Sequence, residues 1–131
     1  MKYEVVLKSH KDLDVWKRSI VLVTEIYRIT KTFPDDEKYG IINQMRRSAV
    51  SVPSNIAEGS ARHSRKENIK FLYVALGSLS ELETQLIISN NLEYITKDLL
   101  ETLQKEIIEI KNMSIGLIRY LSHQQKPVLP T

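Results

Sequence analysis

Apolar residues along this chain recur every three or four positions, and this pattern predicts four amphipathic α-helices. The predicted helices cover residues 13–32, 35–61, 65–90 and 97–122. Short connections between long helices favour antiparallel neighbours. The predicted fold class is therefore all-α: an antiparallel up-down-up-down four-helix bundle in one domain of residues 1–131. A short extended arm over residues 1–11 precedes it, and a flexible tail over residues 124–131 follows it.

The first predicted helix carries two apolar rows, with Asp12 as the expected N-cap and Pro34 ending the helix. The first row comprises Trp16, Ile20, Val23 and Tyr27, and the second comprises Leu22, Ile26, Ile29 and Phe33. Two adjacent rows make a wide apolar face, which suits contact with more than one neighbour. Such a face would be adhesive if exposed, so the pattern favours association of subunits.

The second predicted helix contains the segment from Ser51 to Gly59, with Pro53 inside it. An interior proline removes one hydrogen bond and costs about 3 kcal/mol. The apolar spacing passes through Pro53 in phase, which predicts one continuous, kinked helix. Small and polar residues share one face: Ser48, Ser51, Asn55 and Gly59. We expect this face to admit another helix or subunit, with Asn55 and the serines bonding the carbonyl freed by Pro53; a polar binding site is the alternative.

The third and fourth predicted helices begin at capping residues. Ser64 and Glu67 form a capping-box pattern, and Thr96 is the expected cap of the fourth helix. The fourth helix shows a heptad in which Ser114 is the single polar member. With Gly116 nearby, this position predicts a close helix approach.

Composition excludes several classes of protein. The 131 residues include no cysteine, which excludes disulfides, thiolate metal sites and a cysteine nucleophile. No apolar run approaches the ~18 residues of a membrane span, and no signal-peptide core is present, so we expect a cytoplasmic protein without membrane contact.

The net charge is +3, and residues 1–70 hold 14 Lys/Arg against 9 Asp/Glu. This asymmetry indicates an anionic partner, with a solvated basic face as the alternative.

The sequence contains no recognisable set of catalytic residues. The chain has no Glu-x-x-His pair, and His10, His63 and His123 lie near element ends, so we expect no metal, cofactor or enzymatic activity. Glu58 and Glu81 are expected to pair with an arginine, Arg46 or Arg47, within or between subunits. The candidate nucleic-acid contacts are Lys17, Arg18, Arg47, Arg62, Arg65, Lys66 and Lys70.

Three sequence blocks resemble a known family. They are Gln44 to Arg47, Ser51 to Gly59, and Gly77 to Thr84, and they are similar to the signatures of bacterial four-helix-bundle proteins found in intervening sequences of large-subunit rRNA genes. These proteins are often labelled ribosomal. Leu13 to Trp16 and Phe33-Pro34 match the family's opening. The resemblance spans residues 12–121 and departs from the family pattern at Ser48, where alanine is usual.

The resemblance implies a homopentameric ring without established enzymatic activity. It also implies kinship with the accessory variability determinant of diversity-generating retroelements, which binds a reverse transcriptase and nucleic acid. The expected function is a non-catalytic scaffold that engages RNA or DNA; the alternative is an adaptor that docks a nucleic-acid enzyme. Asn55→Leu and Gly77→Leu are expected to crowd close helix contacts. The expected assembly or structural residues are Arg46, Ser51, Pro53, Asn55, Glu58, Gly59, Gly77, Ser78 and Glu81.

Overall fold

The computed structural model describes residues 9–124, apart from the side chains of Asp12 and Gln124. The four α-helices are α1 (Asp14–Thr30), α2 (Ile41–Ser60), α3 (Arg65–Asn91) and α4 (Lys97–Gln124). Short 3-10 helices form at His10–Asp12 and Asp35–Glu37, and this part of the chain contains no strand. The all-α prediction is confirmed. The predicted arm falls outside the described residues up to residue 8, as does the predicted tail from residue 125.

The helices pack in cyclic order around one core. The contact between α2 and α3 is the most extensive, α3–α4 and α1–α2 follow, and the smaller α1–α4 contact closes the bundle. The diagonal pairs make no comparable contact. With short connections, this order is the up-down-up-down arrangement. We call the end that holds the α2–α3 turn the lower end, and the end that holds the other two connections the upper end.

The two apolar rows of α1 differ in burial. Leu22 and Ile26 are almost completely buried, whereas Ile20 and Tyr27 are 38% and 39% exposed. The second row therefore builds the core, and the first row lies at its edge. The largest fully buried aliphatic side chains of the other helices are Met45, Val52, Ile56, Leu72, Leu79, Leu82, Leu86, Ile107 and Ile110. Full burial of each such side chain stabilises the fold by roughly 1.5–3 kcal/mol.

The start of α2 differs from the prediction. The helix begins at Ile41 instead of residue 35, because Asp35–Glu37 forms a separate 3-10 helix. Tyr94 holds this connection by donating a hydrogen bond from its hydroxyl to Glu37 Oε2, 2.8 Å away. The ring of Tyr94 also contacts the ring of buried Phe33, with centroids 5.0 Å apart. Tertiary contacts with the α3–α4 connection thus determine the conformation of Asp35–Glu37, although the local sequence predicts an α-helix there.

The beginning of α1 also corrects a prediction. Asp12 belongs to the 3-10 helix, and Leu13 occupies the N-cap position without a side-chain hydrogen bond. The caps of the later helices are confirmed. Ser64 Oγ accepts from the Glu67 backbone N–H at 3.2 Å, and Thr96 Oγ1 accepts from Leu99 N at 3.1 Å.

The α2 helix continues through buried Pro53, which confirms the predicted continuity. The prediction that Asn55 and the serines bond the carbonyl freed by Pro53 is wrong. Proline at this position frees the carbonyl of Ala49, four residues earlier. The Asn55 amide instead donates to the Ser51 carbonyl at 2.8 Å and to Ser51 Oγ at 2.9 Å. A side chain reaches the carbonyl one turn before it more readily than one farther back along the helix.

Candidate nucleic-acid and assembly surfaces

The small-residue face of α2 lies against α3 of the same chain. The hydroxyls of Ser51 and Ser78 are hydrogen-bonded across this contact at 2.8 Å. A Cβ atom added at Gly59 would stand 2.8 Å from Asn68 Oδ1 and 2.9 Å from Phe71 Cβ. The close approach predicted for this segment is therefore an intramolecular contact.

Close helix contacts were predicted at Gly77 and Gly116, and none forms at either residue within the chain. A Cβ atom added at either glycine meets nothing within 4 Å. Both residues are exposed on the outer surfaces of α3 and α4. Leucine at Gly77 would therefore crowd nothing inside the chain. Ser114, by contrast, is completely buried and donates its hydroxyl to the Ile110 carbonyl at 2.8 Å.

Arg18, a candidate phosphate contact, is already occupied. Its guanidinium donates two hydrogen bonds to Glu106, at 2.9 and 3.0 Å, and lies 3.6 Å from Glu109. The hydrogen bond to Glu106 raises the pKa of Arg18 above its ordinary value. The arrangement links α1 to α4, and it corrects the expectation that Arg18 is available to a ligand.

Arg62 is also engaged, and its partner corrects a second expectation. Its guanidinium lies 2.7 Å from Glu58, 3.7 Å from Glu67, and 5.1 Å from the centre of the Phe71 ring. Glu58 therefore pairs with Arg62 rather than with an arginine earlier in α2, because one helical turn brings the i and i+4 positions together.

Arg46 and Arg47 point to different surfaces, as expected of adjacent helical residues. Arg46 donates a hydrogen bond to Thr30 Oγ1 at 2.9 Å, and its guanidinium carbon lies 4.5 Å from the centre of the Tyr27 ring. Both partners belong to α1, and neither is a carboxylate. Arg47 lines a polar groove of about 390 Å³ between α2 and α3, together with Glu81. Among the described residues, neither Arg47 nor Glu81 has an ion pair or a hydrogen bond.

Charge is separated along the bundle. The lower end, residues 9–18, 58–70 and 119–124, contains eight Lys/Arg and four Asp/Glu. The upper end, residues 31–40 and 91–101, contains three Lys/Arg and six Asp/Glu. Of the predicted cations, Lys17, Lys66 and Lys70 are exposed near the lower end without a described hydrogen bond or ion pair. Chain folding thus gathers the scattered basic residues of the sequence at one end.

One exposed apolar surface lies between α1 and α2; we call it the α1/α2 face. It is a groove of about 320 Å³ lined mainly by the outer row of α1 and by α2. Ile20 and Val50 are exposed on this face, Trp16 and Val23 are half-buried, and buried Pro53 also lines the groove.

A second exposed apolar surface, the α3/α4 face, lies on the opposite side of the bundle. Lys111 Nζ contacts Ser80 Oγ at 2.9 Å, which locates this side of the α3–α4 contact. Helical spacing places Tyr73 and Ile87 on the same side of α3 as Ser80, and Ile108 and Ile115 on the same side of α4 as Lys111. These four apolar residues are 37–59% exposed. Exposed Gly77 lies among the α3 positions of this face.

The α3 helix is apolar on two sides, facing the core with one and the α3/α4 face with the other. By length and composition alone it could cross a membrane, although 33% of the relevant window is buried within the bundle. A core helix of a bundle gives the same signal. The property follows here from the second apolar surface.

The described residues contain no group of three His, Asp or Glu residues placed to hold a metal ion. Within that part of the chain, Ser51 and Ser78 bond to each other, Ser89 donates to the Gln85 carbonyl, and Ser80 accepts from Lys111. No serine of α2 or α3 is seen bonded to a histidine or carboxylate there. Fold and surfaces together define an α-helical bundle with a basic end and two apolar faces.

Comparison with known families identifies the group. The family model of the 23S rRNA-intervening sequence protein matches residues 11–116, and the chain belongs to this family. The chain is also similar to a 1.70 Å crystal structure of a protein with unknown function from the S23 ribosomal protein family of Bacteroides thetaiotaomicron VPI-5482. The two are 28% identical with a TM-score of 0.74, over 80% of this chain and 95% of the other. Comparison with curated proteins gives no match.

Proposed function

We propose that this protein is a non-catalytic, ring-forming scaffold, a pentamer, whose basic end binds RNA or DNA through the phosphate backbone. The concentration of cations at the lower end carries this proposal. Lysines free of protein partners interact with phosphates without reading sequence. Affinity is then electrostatic, and it depends on how many such ends act together.

A closed ring supports this function by repetition. Cyclic symmetry makes all copies equivalent, so the lower end is repeated at equivalent positions around the ring. Five modest patches repeated in this way bind a polyanion multivalently. The two exposed apolar faces support assembly, because large apolar patches mark interaction sites.

Binding of a fluorescent 20-nucleotide RNA and a DNA of the same sequence tests the proposal. Affinity is expected to fall steeply as salt rises from 50 to 200 mM, because bound phosphates release counterions. Absence of binding at low salt, or an affinity that does not change with salt concentration, would contradict the proposal. Light scattering on the purified protein is expected to give several times the 15.2 kDa chain mass.

The second candidate is an adaptor that docks a nucleic-acid enzyme such as a reverse transcriptase without touching nucleic acid. The groove beside Arg47 favours this candidate, because Glu81 places a negative charge where a phosphate would otherwise bind. A purified enzyme partner that stays bound after nuclease treatment would support the adaptor. Loss of the partner on nuclease treatment would favour the nucleic-acid scaffold.

A further inference from the structure

The α1/α2 face is an open groove, although most of the side chains that line it are apolar. Ile20 of α1 and Val50 of α2 are each 38% exposed in this groove of about 320 Å³. Trp16 and Val23 are only half-buried there. Exposed apolar side chains that gather in one groove indicate an interaction site. An occupant of this groove would therefore need apolar side chains of its own.

The described part of the chain begins at this groove. His10 lines it, and the His10 ring packs against the Trp16 ring with 5.2 Å between the ring centres. The 3-10 helix His10–Asp12 contacts both α1 and α2, the two helices that form the groove. Ser9 Oγ accepts a hydrogen bond from Lys11 N at 3.2 Å and so caps this short helix. The eight residues that precede Ser9 are therefore tethered at the lower end of the groove.

Residues 1–8, which we call the N-terminal segment, alternate in polarity. All four odd positions are apolar: Met1, Tyr3, Val5 and Leu7. Three of the four even positions are charged, Lys2, Glu4 and Lys8, and the fourth is Val6. Successive side chains of an extended chain point to opposite sides, and tyrosine and valine favour that conformation. In an extended conformation this segment has one apolar row and one largely charged row.

We infer that the N-terminal segment lies in the α1/α2 groove of its own chain, with Tyr3, Val5 and Leu7 against the groove and the charged row toward water. The lengths agree. Trp16 and Val23 are seven positions apart, which is about 10 Å along a helix. Leu7 and Tyr3 are four positions apart, which is about 13 Å along an extended chain. Three inward side chains therefore span the groove.

The tether favours this segment over any other occupant. A short connection at Ser9 holds the segment at an effective concentration on the order of millimolar, whereas a second copy must arrive from bulk solution. The inference does not depend on the ring or on the nucleic-acid binding proposed above, because segment and groove belong to one chain. In an assembly, a neighbour would meet this face with the segment already in place.

The single tryptophan of the chain, Trp16, monitors the groove directly. Deletion of residues 2–8 is expected to shift the Trp16 emission to longer wavelength. Quenching of that emission by acrylamide is expected to increase roughly twofold, because apolar surface around the ring returns to water. Circular dichroism checks that the helices remain. Unchanged emission and quenching in a folded variant would overturn the inference.

Two adjacent valines provide a matched pair of substitutions. Val5→Asp places a charge on the inward row and is expected to reproduce the effect of the deletion, because a carboxylate is unfavourable in an apolar groove. Val6→Asp makes the same change on the outward row and is expected to leave the Trp16 emission as in the parent. Equal effects of the two substitutions, or no effect of either, would contradict the assigned orientation.

Cysteine cross-linking identifies the chain that supplies the occupant, since the native chain has no cysteine. Val5→Cys is combined in one chain with Ser54→Cys, because Ser54 is exposed and lines the groove. Mild oxidation is expected to form a disulfide within the chain, seen on a non-reducing denaturing gel as a monomer without free thiols.

The control chain combines Val5→Cys with Val21→Cys, because Val21 lines a different groove together with Met113 of α4. Its thiols are expected to stay reduced under the same conditions. Equal oxidation of both chains would mean that the segment has no preferred place. A disulfide between two chains would assign the groove to the segment of a second copy. Either result would overturn the inference.

Discussion

Ser51 on α2 and Ser78 on α3 share a hydrogen bond of 2.8 Å between their hydroxyl oxygens, and this pair lies in the most extensive helix contact of the bundle. Both residues belong to the sequence blocks that first indicated the family. Their side chains are small enough to bring the helices together and polar enough to fix their register. Residues of two family blocks therefore form the contact between α2 and α3 within one chain.

Gly59→Ala is expected to destabilise the chain. Its new methyl group would stand within 3 Å of Asn68 and Phe71, and relief of such overpacking typically costs about 1–3 kcal/mol. Urea unfolding followed by circular dichroism at fixed protein concentration measures the loss.

Gly77→Ala is the matched control for this change. The site is exposed and has no neighbour within 4 Å, so alanine is expected to stabilise α3 by up to about 1 kcal/mol. Equal destabilisation by both substitutions would show that the α2–α3 contact is misplaced.

The hydroxyl pair is expected to show coupling in a double-mutant cycle of Ser51→Ala and Ser78→Ala. A neutral, partly buried hydrogen bond contributes about 0.5–1.5 kcal/mol, and the cycle isolates that share. Stabilities come from urea unfolding of the four proteins. Strictly additive losses would mean that the two hydroxyls do not interact in solution.

Tyr94 is expected to make stability fall at alkaline pH. The hydrogen bond it donates to Glu37 raises the pKa of Tyr94 above its ordinary value of 10.0. A group whose pKa is higher in the folded state contributes its full stability below the unfolded pKa and loses it as pH rises through the folded pKa. Tyr94→Phe is therefore expected to lower stability at neutral pH and to flatten its decline above about pH 10.

Tyr120→Phe is the control for this pH dependence. Tyr120 is 59% exposed on α4 and makes no hydrogen bond among the described residues. Thermal unfolding at several pH values compares the two variants with the parent. The same alkaline profile in all three proteins would exclude a contribution from the Tyr94–Glu37 pair.

Reversal of charge at the lower end is expected to weaken nucleic-acid binding. The double variant Lys66→Glu/Lys70→Glu removes two unpaired cations, and the slope of log affinity against log salt is expected to decrease in magnitude by about 2. Fluorescence anisotropy with the 20-nucleotide probe measures both affinity and slope. Lys31→Glu/Lys38→Glu at the upper end makes the same charge change and is expected to have a much smaller effect.

The local sequence determined the helices because periodicity and capping act over a few residues. The spacing of apolar residues predicted four helices, and Ser64 and Thr96 marked two of their starts to the residue. The continuity of α2 through Pro53 followed from the phase of the apolar pattern. The family resemblance, which rests on three ordered blocks, was confirmed over residues 11–116.

The tertiary structure alone decided which surfaces remain available. Arg18 looks like a free cation in the sequence, yet packing places the carboxylate of Glu106 beside it. Glu106 lies 88 positions from Arg18, so no local pattern reveals that pair. The separation of charge between the two ends and the opposition of the apolar faces arise for the same physical reason. Both depend on how distant helices align, and side-chain contacts between those helices set that alignment.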